Sequence, residues 1–287
     1  PEFDRNLEGV LSVLANVDEI LSAEASEAGA DVVWLDDSTT GAWRLSEGSF
    51  VHPLALEVLG DSVYALEGGR VLAFDLVQRE TPRVLLAPGD EVEAARVLEP
   101  LDLASDGDDL LAMDRAGDVY RYDPTDDSWV VERRDRAVRD TYDHYYVAIS
   151  SSGDERYLLE TTHEEVWRYA SGHAGAAWAK LPKSRDVDLS AIGNDVYVLS
   201  RSINSPTADL MRYDHAHAVA GFAQSVDAMH PRQVHATEKS LFVLDRSGRR
   251  LLALEPDSGD LQTIIRFTDR RAVTAVWADS TGRILLA

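Results

Sequence analysis

The stretch Asp118-Val-Tyr-Arg-Tyr-Asp-Pro-Thr-Asp-Asp-Ser-Trp129 is a strand, a polar turn and the start of a Trp-bearing strand. The same shape recurs, with aligned starts at Asp31, Arg70, Asp118, Glu165, Asp209 and Arg250, spaced 39 to 48 residues apart. A repeat of that size cannot bury an apolar face alone and must stack on its neighbours. A period in the forties matches a four-stranded antiparallel meander.

Turn chemistry supports this reading. Gly60-Asp61, Gly107-Asp108, Gly153-Asp154 and Gly193-Asn194 supply the positive φ that tight hairpins require. Next comes an apolar strand ending in a polar residue, as in Val63–Glu67, Leu110–Asp114, Tyr157–Glu160, Val196–Ser200 and Leu241–Asp245. A second turn (Gly68-Gly69, Ala116-Gly117, Ser247-Gly248) leads to the third strand, and Trp43, Trp129 and Trp178 mark the fourth.

The ends of the chain carry the closure argument. The last repeat supplies only two strands, Val273–Ala278 and Arg283–Ala287, whereas the first begins at a third strand, Asp31. The expected fold is therefore an all-β, six-bladed β-propeller over residues 31–287. Asp31–Leu35 and Ala42–Ser46 share the last blade with the C-terminal pair, leaving no exposed sheet edge.

Ahead of it, residues 1–30 form a separate N-terminal segment. Asn6 as cap, Gly29 as stop and the 3-4 spacing of Leu7, Val10, Leu14, Val17 and Leu21 predict an α-helix over 6–28. Its apolar stripe packs on the propeller or pairs two chains into a dimer. Pro1-Glu2-Phe3 reads as a cloning scar, which leaves room for a signal peptide or membrane anchor ahead of it.

Composition narrows the function classes. A net charge of -23 sets the whole field against binding a phosphate backbone, so no nucleic-acid partner is expected. With no Cys there is no disulfide, thiol catalysis or Cys-type zinc site. No apolar run approaches the ~20 residues of a membrane span. Gly-x-Ser-x-Gly and a Gly-rich phosphate loop are both missing, which removes the corresponding hydrolase and nucleotide-binding classes.

In an up-and-down meander the strand 4–1 and strand 2–3 connections share one face, the top, which is the face expected to carry function. His52-Pro53, Glu99-Pro100 and His230-Pro231 stand in register, with Arg185-Asp186 and Arg270-Arg271 at the matching places of two other repeats. His52, Glu99, Arg185, His230, Arg232 and Arg271 are thus predicted near the channel mouth. They either pair with one another there or hold an anionic or peptide ligand. A second ring, Glu67, Asp114, Glu160 and Asp245, ends the second strands. These carboxylates either cap turns beside Arg115, Arg201 and Arg246 or hold a divalent cation such as calcium or magnesium.

Arg139–Tyr146 is the densest polar segment, with Asp140, Tyr142 and His144 as ligand-binding candidates. His144 lies close to the register of His52 and His230, and three such imidazoles would suit Zn²⁺. The Arg201–Pro206 insertion and His163-Glu164 occupy the strand 2–3 turns of their blades.

On strand order and turn motifs over residues 31–287, the chain resembles six-bladed propellers of the NHL, lactonase and TolB-like kind. The lactonase resemblance implies a divalent metal held by channel-lining Glu, Asn and Asp, and so a metal-dependent hydrolase or lactonase. The chain also looks like propeller regions that some bacterial membrane proteins carry beyond a transmembrane segment. That resemblance implies a non-catalytic, extracytoplasmic binding or sensing module, with a protein, peptide or small polar ligand on its top face and no cofactor of its own.

Overall fold

The computed structural model describes residues 12–14, 26–27, 30–35, 53–75, 82–134, 144–171, 173, 175–183, 185–201, 207–220, 222, 224–226, 228, 230–245, 249–267, 273–279 and 284–286. Their secondary structure is all strand and turn. Blade I is the antiparallel meander Ala55–Leu59, Ser62–Glu67, Arg70–Asp75 and Arg83–Leu86. Blade II is Pro100–Ser105, Leu110–Asp114, Val119–Asp123 and Ser128–Arg133; blade III is Tyr146–Ser152, Glu155–Glu160, Glu165–Ala170 and Ala176–Lys180.

Blade IV comprises Arg185–Ile192, Asp195–Arg201 and Ala208–Asp214. Two short strands, His217–Ala218 and Gln224–Val226, share its fourth position. Blade V runs Pro231–Ala236, Leu241–Asp245, Arg250–Leu254 and Leu261–Phe267.

Both faces of each blade are buried, which explains why apolar residues occupy both parities of the strands. Tyr64 and Leu66 of blade I pack with Leu110 and Tyr120 of blade II. Leu111 and Met113 of blade II pack with Ile149 and Leu158 of blade III, and the pattern continues through blades IV and V. The C-terminal hairpin, Val276–Ala278 with Ile284–Leu286, fills the gap between blades V and I. Val276, Ile284 and Leu286 meet Leu244 and Ile265 of blade V, while Ala275 and Leu285 meet Leu56, Val63 and Phe74 of blade I. Circular order is thereby complete.

The structure corrects the expected closure. Among the described residues there are five blades, not six, and the C-terminal hairpin is joined by Ser12–Leu14, with Ser12 opposite Leu286, in a three-stranded sheet. The strand Ala30–Leu35 pairs elsewhere, parallel to Leu261–Phe267 on the outer edge of blade V, followed by Ser26–Glu27. A strand pattern shows which residues are extended but does not name the edge they pair with. The proposed fourth strand Ala42–Ser46 lies outside the described residues.

The N-terminal helix is corrected as well. Ser12–Leu14 and Ser26–Glu27 are strands, so a continuous helix over 6–28 is not formed. Leu11-Ser-Val-Leu14 satisfies a two-residue alternation as readily as a helical stripe, an ambiguity inherent in short apolar runs. Leu7, Val10, Val17 and Leu21 lie outside the described residues, as does the side chain of Leu14.

One glycine is fixed by sterics. Gly117, at φ 76°, sits so close to blade III that a Cβ would lie 2.4 Å from the Tyr146 ring. Gly117→Ala is expected to cost about 1–3 kcal/mol through overpacking and backbone strain. Gly60→Ala is the control, since Gly60 has a similar positive φ but nothing within 4 Å. Equal denaturation midpoints for the two variants would contradict the close approach.

Candidate functional site

The first strands of the blades line the central channel. There they enclose a cavity of about 190 Å³ bordered by Glu57, Asp102, Asp188, Gln233, His235 and Trp277, with Ser105, Ser150 and Ser190. Several of these side chains bind the next blade. Asp102 accepts the Ile149 N–H at 2.8 Å, Ser150 Oγ that of Ala191 at 2.9 Å, and Asp188 that of Val234 at 2.8 Å. Gln233 Oε1 accepts from Val276 N at 2.9 Å, which ties the C-terminal hairpin into the same girdle. Each clasp satisfies an inner-strand N–H facing the channel.

Three carboxyls in so small a space cannot all ionise cheaply. Burial pushes the Glu57 carboxyl up to about 8, against hydrogen bonds from Ser105 and Trp277 that favour its charged form. Burial also raises Asp102 and Asp188, and Asp188 is lifted further by the charge of Asp102. Backbone N–H donors and Arg232 oppose both shifts without cancelling them. His235 is depressed by burial, and its Nε2–H donates to the Ala278 carbonyl at 2.7 Å, so it lines the cavity as neutral imidazole. The result is a chamber rich in acceptors, whose carboxyls Arg232 and the backbone N–H groups compensate only in part.

Of the residues expected at the channel mouth, Arg232 is half-buried on the first strand of blade V and its charge acts on Asp102 and Asp188. Glu99 is exposed and lies 3.8 Å from Arg115, an ion pair at the rim. His230 is exposed, and its N–H donates to Asp245 at 3.2 Å. Arg185 begins the first strand of blade IV, but its side chain lies outside the described residues; His52, Asp140, Tyr142 and Arg271 lie outside them altogether.

The second ring works within single blades. Asp114 accepts from Ala116 N at 2.8 Å, Leu98 N at 2.9 Å and Tyr120 OH at 3.1 Å, joining its own turn to the incoming chain. Asp245 holds Arg250 Nε at 3.1 Å as well as the His230 N–H. Glu160 accepts the N–H groups of Thr162 at 2.7 Å, His163 at 2.8 Å and Tyr145 at 3.1 Å. Burial acts to raise Glu160, but those donors outweigh it and hold the carboxylate below its usual range. Glu67 is half-buried at the end of its strand, paired in register with Arg70. His144 meets a different histidine from those expected, His163, with ring centroids 4.8 Å apart.

Glu57, Asp102, Asp188, Gln233 and His235 escaped sequence reasoning. A signal existed. Asp102, Asp188 and Gln233 each stand two residues after Pro100, Asp186 and Pro231, the aligned start of the first strand, in segments otherwise mostly apolar. A polar residue in register inside buried strands is the mark of a channel lining.

No family model matches the chain, and no curated protein matches it either. Solved structures do. A chain of a nidogen/laminin complex aligns with TM-score 0.53 and 14% identity, covering 79% of this chain and 89% of that one. A virginiamycin B lyase from Staphylococcus aureus aligns with TM-score 0.55 and 12% identity (80% and 75% covered). An auxiliary nutrient binding protein from Bacteroides thetaiotaomicron gives TM-score 0.57 and 11% identity (84% and 70%). The chain has the β-propeller fold. At such identities the likeness carries architecture, not activity.

Proposed function

We propose that this chain is a non-catalytic binding or sensing module, extracytoplasmic in its native setting, that takes a small cationic or donor-rich group into the central channel. The observation that carries the reading is the grouping of Glu57, Asp102 and Asp188 around one cavity, where burial raises all three carboxyls and so disfavours their charged forms. An entering ammonium or guanidinium would restore their charge and gain from it. A volume of about 190 Å³ is below the ~300–1,000 Å³ of pockets for whole drug-sized ligands, so the guest is a side-chain tip or a small polar molecule. The nidogen/laminin and nutrient-binding neighbours lend the binding reading support by analogy of fold.

The test is calorimetry and thermal shift at pH 7.5 with small amines, guanidines, Lys- and Arg-terminated peptides, and calcium and magnesium. An amine or guanidinium is expected to raise the melting temperature, as any ligand of the native state does. Asp188→Asn should weaken that binding at least tenfold. If no amine, guanidinium or peptide binds, or if Asp188→Asn binds as well as the parent, the reading fails. Binding of calcium or magnesium alone, lost in the same variant, would favour the alternative of a metal-dependent hydrolase or lactonase working at the channel.

A further inference from the structure

We propose that His144, Glu160 and His163 form a binding site for a divalent transition-metal ion of the zinc type on the rim of blade III. None of the three lines the channel cavity, so the site stands apart from the proposed ligand. Two segments build it. His144 lies two residues before the first strand of the blade, while Glu160 ends the second strand and His163 sits in the turn after it. These segments are pinned together by Thr161 N donating to the Tyr145 carbonyl at 2.9 Å and by Tyr145 N donating to Glu160 at 3.1 Å.

The ligand atoms offered by the three side chains all lie within 4.8 Å of one another. His163 Nδ1 is 3.3 Å from Glu160 Oε2. Two ligands bound tetrahedrally to zinc are ~3.4 Å apart at ordinary bond lengths, so this pair already has the spacing an ion needs. His144 completes the set, its ligand atom within 4.8 Å of the other two. Its Nδ1 is buried and has no hydrogen-bond partner, a costly state for an imidazole nitrogen, and an ion in the cluster supplies the missing partner.

The ring of His144 is held by Tyr146, stacked at 6.1 Å, and by Trp167, edge-on at 5.4 Å, which limits the ordering cost of binding. The side chain of His163 is 46% exposed, so an ion would keep a solvent-facing coordination position. Two imidazoles with a single carboxylate select zinc, cobalt, nickel or copper over calcium and magnesium. The chain's net charge of -23 favours any cation, so the decisive measurement is selectivity and its loss on substitution.

Untagged, chelator-stripped protein titrated calorimetrically with ZnCl₂ should show one site, absent with CaCl₂ or MgCl₂. Cobalt should give visible d–d absorption bands. His144→Ala and His163→Ala should each weaken zinc binding at least tenfold, while Asp188→Asn in the channel should leave it unchanged. If His144→Ala misfolds, His163→Ala decides alone, because that side chain is nearly half exposed. Wild-type zinc affinity in His163→Ala, or calcium binding as tightly as zinc, overturns the assignment.

Discussion

Arg156→Met is expected to destabilise the protein by about 3–5 kcal/mol, a large share of the stability of an ordinary domain. Arg156 lies between blades II and III with its side chain 4% exposed. Its Nε is 3.2 Å from Glu132, whose side chain is 2% exposed, and its Nη2 is 2.6 Å from Asp106. Its Nη1 also donates to the Gly153 carbonyl at 2.8 Å, within the first hairpin of blade III. Removing the guanidinium leaves the buried Glu132 carboxylate with Arg121 as its remaining ion-pair partner, Nε 3.6 Å from an Oε2 that has no hydrogen bond.

The cost is that of a buried charge left under-compensated by Arg121 alone, not of the contact itself. The double variant Arg156→Met, Glu132→Leu should therefore recover most of the loss. Chemical denaturation of the two singles and the double gives the cycle. A single variant within 1 kcal/mol of the parent would show that the pair is hydrated and of little consequence.

How much of this was legible in the sequence depends on the range of the interaction concerned. Turns and strands are local, and Leu110–Asp114 or Ser62–Glu67 could be read directly, because Gly at positive φ and an apolar run leave few alternatives. Blade number is not local. The strand Ala30–Leu35 suits several edges, and its choice of Leu261–Phe267 rests on which edge it meets in space.

The same distinction divides the site residues. Asp114 and Glu160 ended their strands in plain view beside turn residues, and capping is what such a place allows. His144 was legible as a candidate, but its nearness to His163 follows from the chain folding back across blade III. Asp102 meets Asp188 only through the ring as a whole, since the two belong to blades II and IV and face each other over the channel cavity.

That channel leads to the second large effect, a stability that falls as pH rises from about 5 to about 8. Glu57 is raised in the folded protein to about 8 from 4.5. A raised carboxyl stabilises the fold fully below its unfolded value. As pH climbs, the unfolded chain ionises first and gains free energy that the native chain cannot match until it too ionises near 8. At about 1.4 kcal/mol per pH unit over that window the loss is about 3–5 kcal/mol, the lower figure allowing for water entering the channel. Asp102 and Asp188 act in the same direction. Mutual repulsion across a chain of net charge -23 also favours lower pH, so the wild-type slope alone does not isolate the channel. Glu57→Gln does. Glutamine keeps the shape and an oxygen to accept from Ser105 Oγ, which donates to Glu57 at 2.9 Å, but it has no proton to lose. Parent and variant should match at pH 5 and diverge steadily above it, with Glu57→Gln the more stable by about 3 kcal/mol or more at pH 8.5. Parallel curves across that range would mean that Glu57 is ionised throughout, and the acceptor-rich chamber would then already be charged before any ligand arrives.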